Sequence, residues 1–163
     1  MEKLPVLSLP RTRLEQLHDI LSVVVLAFSI IYFILNWSDL PQTVPIHYNG
    51  RGEADGWGSK ATLLILPLLS LILFIGLSIL SKYPHKFNYP FKINAENAPH
   101  QYQTAKLLLS WMKVELVLLF GYLQWSIIQN ALGHSAGIGV WLLPAVLVII
   151  FGTIIIHLIR MKR

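Results

Sequence analysis

A short segment between the first two apolar runs carries the side chains best suited to chemistry: His47, Glu53, Asp55, Trp57 and Lys60. A histidine beside carboxylates can bind a metal or act as a general base. One histidine and two carboxylates are too few for a typical metal site, and Arg51 stands where a calcium loop needs a ligand. We therefore predict no metal and no cofactor. The alternatives left open are groups that satisfy one another in a structured loop and a surface that recognises a partner.

The backbone around these residues is rich in proline and glycine. Pro41 and Pro45 favour extended backbone before them, while four glycines between residues 50 and 58 permit tight turns. We expect a folded loop, with Ser59 capping the helix that follows. Lys60 then lies at a helix N-terminus, where the helix dipole disfavours a cation. We therefore expect Asp55 or Glu53 to pair with Lys60.

The composition excludes an ordinary soluble domain. Of 163 residues, 55% are hydrophobic and only 13% are charged, with a mean hydropathy of +0.60, against about a quarter charged in typical globular chains. The absence of cysteine excludes disulfides and thiolate metal sites. The net charge of +5 does not indicate nucleic-acid binding, because the basic residues lie at the edges of apolar runs and not on one face.

Four apolar runs are long enough to cross a bilayer, since about 20 helical residues span a hydrocarbon core of about 30 Å. The predicted fold is all-α: an integral membrane four-helix bundle with a structured outer loop between helices 1 and 2. The predicted organisation is an N-terminal segment 1–16, spans at 17–37, 61–80, 105–132 and 138–159, an outer loop 38–60, an inner loop 81–104, an outer turn 133–137 and a tail 160–163. Asn94 is expected to cap a helix that begins near Ala95 and continues into the third span.

The basic residues predict the orientation of these spans. With the N-terminus inside, the inner side carries ten Lys and Arg residues and the outer side carries two, Arg51 and Lys60. The inner ten are Lys3, Arg11, Arg13, Lys82, Lys86, Lys92, Lys106, Arg160, Lys162 and Arg163. Because positive residues stay in the cytoplasm, we predict a multi-pass protein of the cell membrane with both termini cytoplasmic.

The third span contains two ionisable residues, Lys113 and Glu115. We expect Lys113 to extend toward the inner surface near Lys106. Glu115 lies deeper, and Tyr122 follows on the same stripe of the helix, so the two form a hypothetical intramembrane polar site. Partners from other helices include Thr153 among several candidates. Helix packing and a role in binding a ligand or proton remain alternatives for Glu115.

The outer loop also carries a family resemblance. The segments Leu-Pro-x-x-Val-Pro-Ile-His-Tyr-Asn (40–49) and Gly-Glu-Ala-Asp-Gly-Trp-Gly-Ser-Lys (52–60) resemble the signature of the bacterial family catalogued as domain of unknown function 1648. An inner-loop motif is similar to the companion segment of small four-helix members and comprises Asn88, Glu96, Asn97, Gln101 and Tyr102. The family includes the N-terminal part of SdpI-related immunity and signalling membrane proteins, so the resemblance implies a role of that kind.

Three common catalytic motifs are absent from the sequence: Gly-x-Ser-x-Gly, His-Glu-x-x-His and phosphate-binding glycine loops. We therefore predict a non-enzymatic membrane protein that recognises an external peptide, partner or envelope component. One alternative is an oligomeric transporter or channel component, and another is a small membrane hydrolase that uses His47 and Asp55. The expected partners are membrane lipid, a second copy of the chain or another membrane or envelope protein, and not nucleic acid.

Overall fold

A computed structural model describes residues 5–162 and consists of four long helices and one β-hairpin. The helices are α1 (Arg13–Asn36), α2 (Ile65–Leu80), α3 (Ala98–Ala131) and α4 (Leu142–Lys162). The strands are β1 (Thr43–Tyr48) and β2 (Ala54–Ser59), and short 3-10 turns occupy Lys60–Leu64 and Pro84–Lys86. Counting α2 with its preceding turn, four helices are long and apolar enough to span a membrane, which confirms the prediction of four such helices.

The all-α prediction is wrong in the outer loop, because β1 and β2 pair as an antiparallel sheet. Sequence reasoning missed the strands since Pro45 and two glycines lie within them, and such residues weaken strand signals. Pro45 pairs with Trp57, and the register shifts between Pro45 and His47. A proline has no N–H to donate, so an irregular ladder at this point is expected.

Helix α1 begins at a complete capping box. The Thr12 hydroxyl accepts a hydrogen bond from the Glu15 N–H at 3.1 Å, and the Glu15 carboxylate accepts one from the Thr12 N–H at 2.7 Å. The buried residues of α1 then recur every three or four positions: Glu15, His18, Ser22, Leu26, Ser29 and Phe33. This periodicity means that the buried residues of α1 form one mainly polar stripe along a single face of the helix.

Helix α3 is the centre of the molecule and packs against α1, α2 and α4, while α1 also contacts α2. The N-terminal segment and the last turn of α4 both contact the first turns of α3, so the two described ends of the chain lie together. We call this the terminal end, and the opposite end the hairpin end. Lys3 and Arg163, which contributed to the predicted orientation, lie outside the described residues.

The main buried apolar cluster lies at the hairpin end and comprises Phe33, Leu40, Val44, Leu63, Ile127 and Ile128. Large apolar side chains are exposed along α1, α2 and α4, including Ile34, Ile72 and Val148. Exposed apolar faces around a partly polar interior reverse the arrangement of a soluble protein and suit a lipid environment.

The last two helices begin at positions that differ from the predicted ones. Helix α3 begins at Ala98. The Asn94 side-chain oxygen accepts hydrogen bonds from the N–H groups of Glu96 and Asn97, in a separate turn before the helix. Helix α4 begins at Leu142, because the segment before it is bonded to the hairpin. The prediction for α3 relied on Asn94 as a cap and that for α4 on hydropathy, and neither signal registers such contacts.

Candidate functional site: the hairpin and the polar groups between the helices

The hairpin turn is closed by Asn49 and Glu53. The Asn49 side-chain oxygen accepts bonds from the N–H groups of Arg51 and Glu53, at 2.8 and 3.2 Å. The Asn49 amide also donates to the Glu53 carboxylate at 3.0 Å. Glu53 was a predicted site residue, but these bonds use it to hold the turn.

Lys60 stabilises the base of the hairpin and pairs with no carboxylate. Its ammonium donates to the carbonyl oxygens of Trp37 and Leu40, at 2.9 and 3.2 Å, and lies 4.4 Å from the centroid of the Trp37 ring. The predicted pairing with Asp55 or Glu53 is therefore wrong. Backbone carbonyls at the end of α1 satisfy the cation, and a cation–π contact adds to them.

His47, Asp55 and Trp57 remain at the surface of the hairpin. His47 Nδ1 lies 2.5 Å from Asp55 Oδ1, and the two side chains are 72% and 42% exposed. Trp57 is 59% exposed. This arrangement fixes the ring of His47 and leaves its Nε2 atom for another molecule.

The hairpin is also bonded to the connection between α3 and α4. The Ile138 N–H donates to the Gly52 carbonyl at 2.9 Å, and Glu53 forms a β-bridge with Gly137. Gly52 has φ +78°, and a Cβ there would come within 2.7 Å of the Gly139 backbone, so only glycine fits. Burial raises the pKa of Tyr48 to about 12, and its neutral hydroxyl points toward Asn130 at 3.5 Å.

Within residues 5–162, no group of three or more His, Asp or Glu side chains is placed to hold a metal ion. The His47–Asp55 pair supplies two ligands at most, and metal sites in proteins usually take three or four.

Glu115 lies between α3 and α4. Thr153 Oγ1 donates to Glu115 Oε1 at 2.5 Å, while Glu115 Oε2 is inaccessible and has no partner in the described chain. His157, one turn beyond Thr153, donates from Nδ1 to the Thr153 carbonyl at 2.8 Å, and its buried Nε2 has no partner in the described chain. Thr153 was among the predicted partners of Glu115.

Glu115 and Tyr122 line one cavity of about 240 Å³ between α3 and α4. The Tyr122 hydroxyl donates to the Ile138 carbonyl at 3.0 Å and so faces the hairpin end. A second cavity of about 350 Å³ reaches the hairpin turn and shares Leu119, Leu142 and Val146 with the first. The two predicted polar residues therefore lie along one mainly apolar groove.

Lys113 lies on the opposite side of α3 and is 4% exposed. It forms an ion pair with Asp19 of α1 and donates to Ser78 Oγ of α2 at 3.1 Å. Arg11 also pairs with Asp19, at 2.7 Å. The sequence reasoning did not name Asp19 as a partner of Lys113.

Sequence reasoning missed the polar seam between α1 and α3. From the terminal end, Lys106 lies 3.6 Å from Glu15, and His18 Nδ1 lies 2.9 Å from Ser110 Oγ. Further pairs nearer the hairpin end are Ser29 with Gln124 and Tyr32 with Gln129. The recurrence of polar residues at positions 15, 18, 19, 22 and 29 was a signal that could have revealed this seam.

The inner-loop motif ties chain segments together at the terminal end. Tyr102 is fully buried and donates to the Pro5 carbonyl at 3.0 Å, and Gln101 donates to the Met161 carbonyl at 2.5 Å. Asn97 accepts from the Asn94 N–H at 2.9 Å and donates to the Lys92 carbonyl at 3.0 Å. The side chains of the remaining motif residues, Asn88 and Glu96, are exposed.

Comparison with known proteins matches the part of the chain that contains the hairpin. Residues 24–71 match the family model described as "Domain of unknown function (DUF1648)". An "Uncharacterized protein" of Archaeoglobus fulgidus is 33% identical over 78 residues, which cover 43% of this chain and 43% of that relative. No solved structure matches the chain. The part of the chain that matches the DUF1648 family model, residues 24–71, runs from α1 across the hairpin into α2.

Proposed function

We propose that this chain is a non-enzymatic multi-pass protein of the bacterial cell membrane, with both termini cytoplasmic, whose hairpin recognises an external peptide, partner or envelope component. The observation that carries the proposal is the combination of a firmly held hairpin with an outward-facing group of His47, Asp55 and Trp57. We call these three residues the hairpin surface. Immunity or signalling is the version that the family resemblance favours.

The first support is pre-organisation. Lys60 fixes the base of the hairpin, Val44 is buried in the apolar cluster beneath it, and Gly52 joins its turn to the α3–α4 connection. A surface held in this way loses little conformational entropy when it binds, so more of the contact free energy appears as affinity.

The second support is the chemistry of the hairpin surface. Tryptophan supplies a large contact area and is enriched among the residues that dominate binding energy. The His47–Asp55 pair adds a polar group of fixed direction beside Trp57. Glu53 and Lys60 are not part of this surface, since the Glu53 carboxylate holds the hairpin turn and Lys60 is buried at the base.

The proposed orientation follows from the charge bias and agrees with the grouping of the chain ends. Basic residues are concentrated toward the terminal end, whereas Arg51 and Lys60 lie at the hairpin end. Under the positive-inside rule, the hairpin faces the outside.

The transporter alternative gains less support from the helix arrangement. Polar groups line the seam between α1 and α3, but Leu26 and Val117, which are 6% and 1% exposed, lie between its two hydrogen-bonded ends. An apolar layer of this kind interrupts a polar path through a single chain. Transport would then depend on self-association.

Site-specific crosslinking in whole cells tests the proposal. A photoreactive residue at position 57 or 47 is expected to capture one distinct protein or envelope component. Position 141 is the matched control, because Trp141 is also at the hairpin end and is 78% exposed, but it lies outside the hairpin. Capture of lipid alone at 57, or the same products at 57 and 141, would contradict recognition by the hairpin surface.

One observation favours the hydrolase alternative: the 2.5 Å contact of His47 Nδ1 with Asp55 would orient His47 as a general base. Asp55→Asn distinguishes the two functions. A hydrolase would lose most of its turnover in Asp55→Asn while still binding substrate, whereas a recognition surface would show weaker capture and no turnover in either form. Solute flux in proteoliposomes made from the purified chain would instead support the transporter.

A further inference from the structure

A cavity of about 280 Å³ opens at the terminal end, away from the hairpin surface and the Glu115 groove. It lies between the segment that precedes α1 and the residues that follow α2. Three of its lining residues are basic: Arg11, Lys82 and Lys106. We call it the basic cavity.

The three cations of the basic cavity differ in how far the fold already uses them. Lys106 is 6% exposed, and its ammonium donates to the carbonyls of Leu9 and Pro10, each at 3.2 Å, beside Glu15. It therefore supports the wall of the cavity. Arg11 contacts Asp19 through one nitrogen, Nη2, but its side chain is 52% exposed, which leaves other guanidinium N–H groups free to donate.

Lys82 is the least engaged of the three. Its side chain is exposed, and it takes part in none of the ion pairs found among residues 5–162. The charges around the cavity are four cations, counting Lys113 on the far side of Asp19, against the two carboxylates of Asp19 and Glu15. Four minus two leaves a net charge of +2, which favours binding of an anion.

The position of the basic cavity indicates the source of that anion. Helix α2 ends at Leu80, directly before the lining residues Ser81 and Lys82, and α1 begins two residues after Arg11. The cavity thus lies where apolar helix meets polar loop, at the depth of lipid headgroups. The same helices expose apolar side chains in their adjoining turns, with Leu17 at 60% and Ile79 at 51%, which suit acyl chains.

We propose that the basic cavity binds the phosphate of an anionic phospholipid, with Arg11 and Lys82 donating to the phosphate oxygens. Arginine and lysine are the usual phosphate ligands, and basic pockets between membrane helices commonly take anionic headgroups. A volume of about 280 Å³ holds a headgroup, while the acyl chains lie along the outer faces of α1 and α2. A lipid bound there would hold the segment before α1 against the inner leaflet.

Lipid retention by the full chain tests the assignment. The protein in mild detergent is mixed with phosphatidylglycerol or with phosphatidylcholine of the same acyl chains, and bound lipid is counted by native mass spectrometry. Lys82→Gln is expected to weaken phosphatidylglycerol binding about fivefold, because that is the change in affinity expected for the loss of one basic residue near an anionic surface. Lys92→Gln is the matched control, because Lys92 is an exposed lysine of the same connection outside the cavity. It should change binding by less than about twofold.

Each other outcome overturns the proposal in a distinct way. Equal weakening by Lys82→Gln and Lys92→Gln would mean diffuse surface charge and no built site. Equal retention of phosphatidylcholine would mean that the phosphate charge is not recognised. If millimolar inorganic phosphate raises the melting temperature as much as phosphatidylglycerol does, the anion comes from solution, and the lipid assignment is wrong.

Discussion

Helix α3 carries two ionisable side chains two residues apart, and its neighbours accommodate them in opposite ways. Lys113 faces α1 and α2, where it contacts both the Asp19 carboxylate and the Ser78 hydroxyl. Glu115 faces α4, where Thr153 is its only hydrogen-bond donor among the described residues. Positions two apart on a helix point to nearly opposite faces, so the surroundings of each side chain are set by different helices.

The two sides of α3 also differ in how closely they are packed. Toward α3, the buried side chains of α1 continue from Glu15 to Phe33, and a Cβ on Gly121 would come within 2.8 Å of Val25. In α4, by contrast, the fully buried residues are His157 and Met161, both near its end. On the closely packed side, the Lys113 cation has the Asp19 carboxylate as its counter-ion. On the more loosely packed side, the Glu115 carboxyl has only the Thr153 hydroxyl as a partner among the described residues.

The largest effect is expected from Lys113→Met. The substitution leaves Asp19 with Arg11 alone and removes the donor to Ser78, so we expect a loss of about 3–5 kcal/mol in the free energy of unfolding. Equilibrium unfolding in mixed micelles, followed by tryptophan fluorescence, measures it.

Two further variants decide whether the ion pair is the cause. The double variant Asp19→Asn with Lys113→Met should recover most of the loss, because no charge is then left unpaired between the helices. Lys92→Met, an exposed control, should remain within about 0.5 kcal/mol of the parent. A double variant as unstable as Lys113→Met would show that packing of the lysine stem, and not charge, dominates this side.

A smaller difference is expected between two glycine variants. Gly121→Ala forces Val25 to move, whereas a Cβ on Gly152 of α4 meets no atom within 4 Å. Both variants gain the same helix propensity, so their difference isolates packing; we expect Gly121→Ala to be less stable by about 1–2 kcal/mol. Thermal unfolding of the two proteins in one detergent provides the measurement. Equal melting temperatures would remove the packing contrast between the two sides.

The smallest effects are expected at Glu115. Glu115→Gln keeps an acceptor for Thr153 and should change the unfolding free energy by less than about 0.5 kcal/mol. Glu115→Leu removes the acceptor, and the Thr153 hydroxyl can then bond to its own helix, so about 0.6 kcal/mol is expected. The same micelle unfolding assay applies. A loss in Glu115→Leu as large as that of Lys113→Met would break the comparison and indicate that α4 depends on this carboxyl.

The outer segment shows how far sequence reasoning reached in the candidate site. Proline and glycine spacing correctly predicted a structured segment, and Ser59 does cap the turn after it, accepting from the Ala61 N–H at 3.3 Å. The predicted pairing of Lys60 with a carboxylate was wrong, because backbone carbonyls just after α1 accept from the ammonium once the chain folds back. Such acceptors exist at every residue, so a sequence cannot single out which two will be used.

Within the helices, the sequence predicted which residues share one face but not which residues of other helices they contact. The shared side of Glu115 and Tyr122 follows from helical periodicity, and both line one cavity as that periodicity implies. The pairing of Lys113 with Asp19 could not be derived, because it depends on the rotation and depth of one helix relative to another. Whether any of these groups binds a ligand stays a prediction.

The amino-acid sequence by itself determined the number, length and apolar character of the helices, since these depend on local composition and on the thickness of a bilayer. It also determined that residues 38–60 fold, through prolines and glycines that act on their own backbone. Only the tertiary structure decided which polar groups meet: Lys60 with the Trp37 and Leu40 carbonyls, Lys113 with Asp19, and Glu115 with Thr153. Those partners lie 20 or more residues apart, and side-chain geometry between packed elements, not local pattern, selects them.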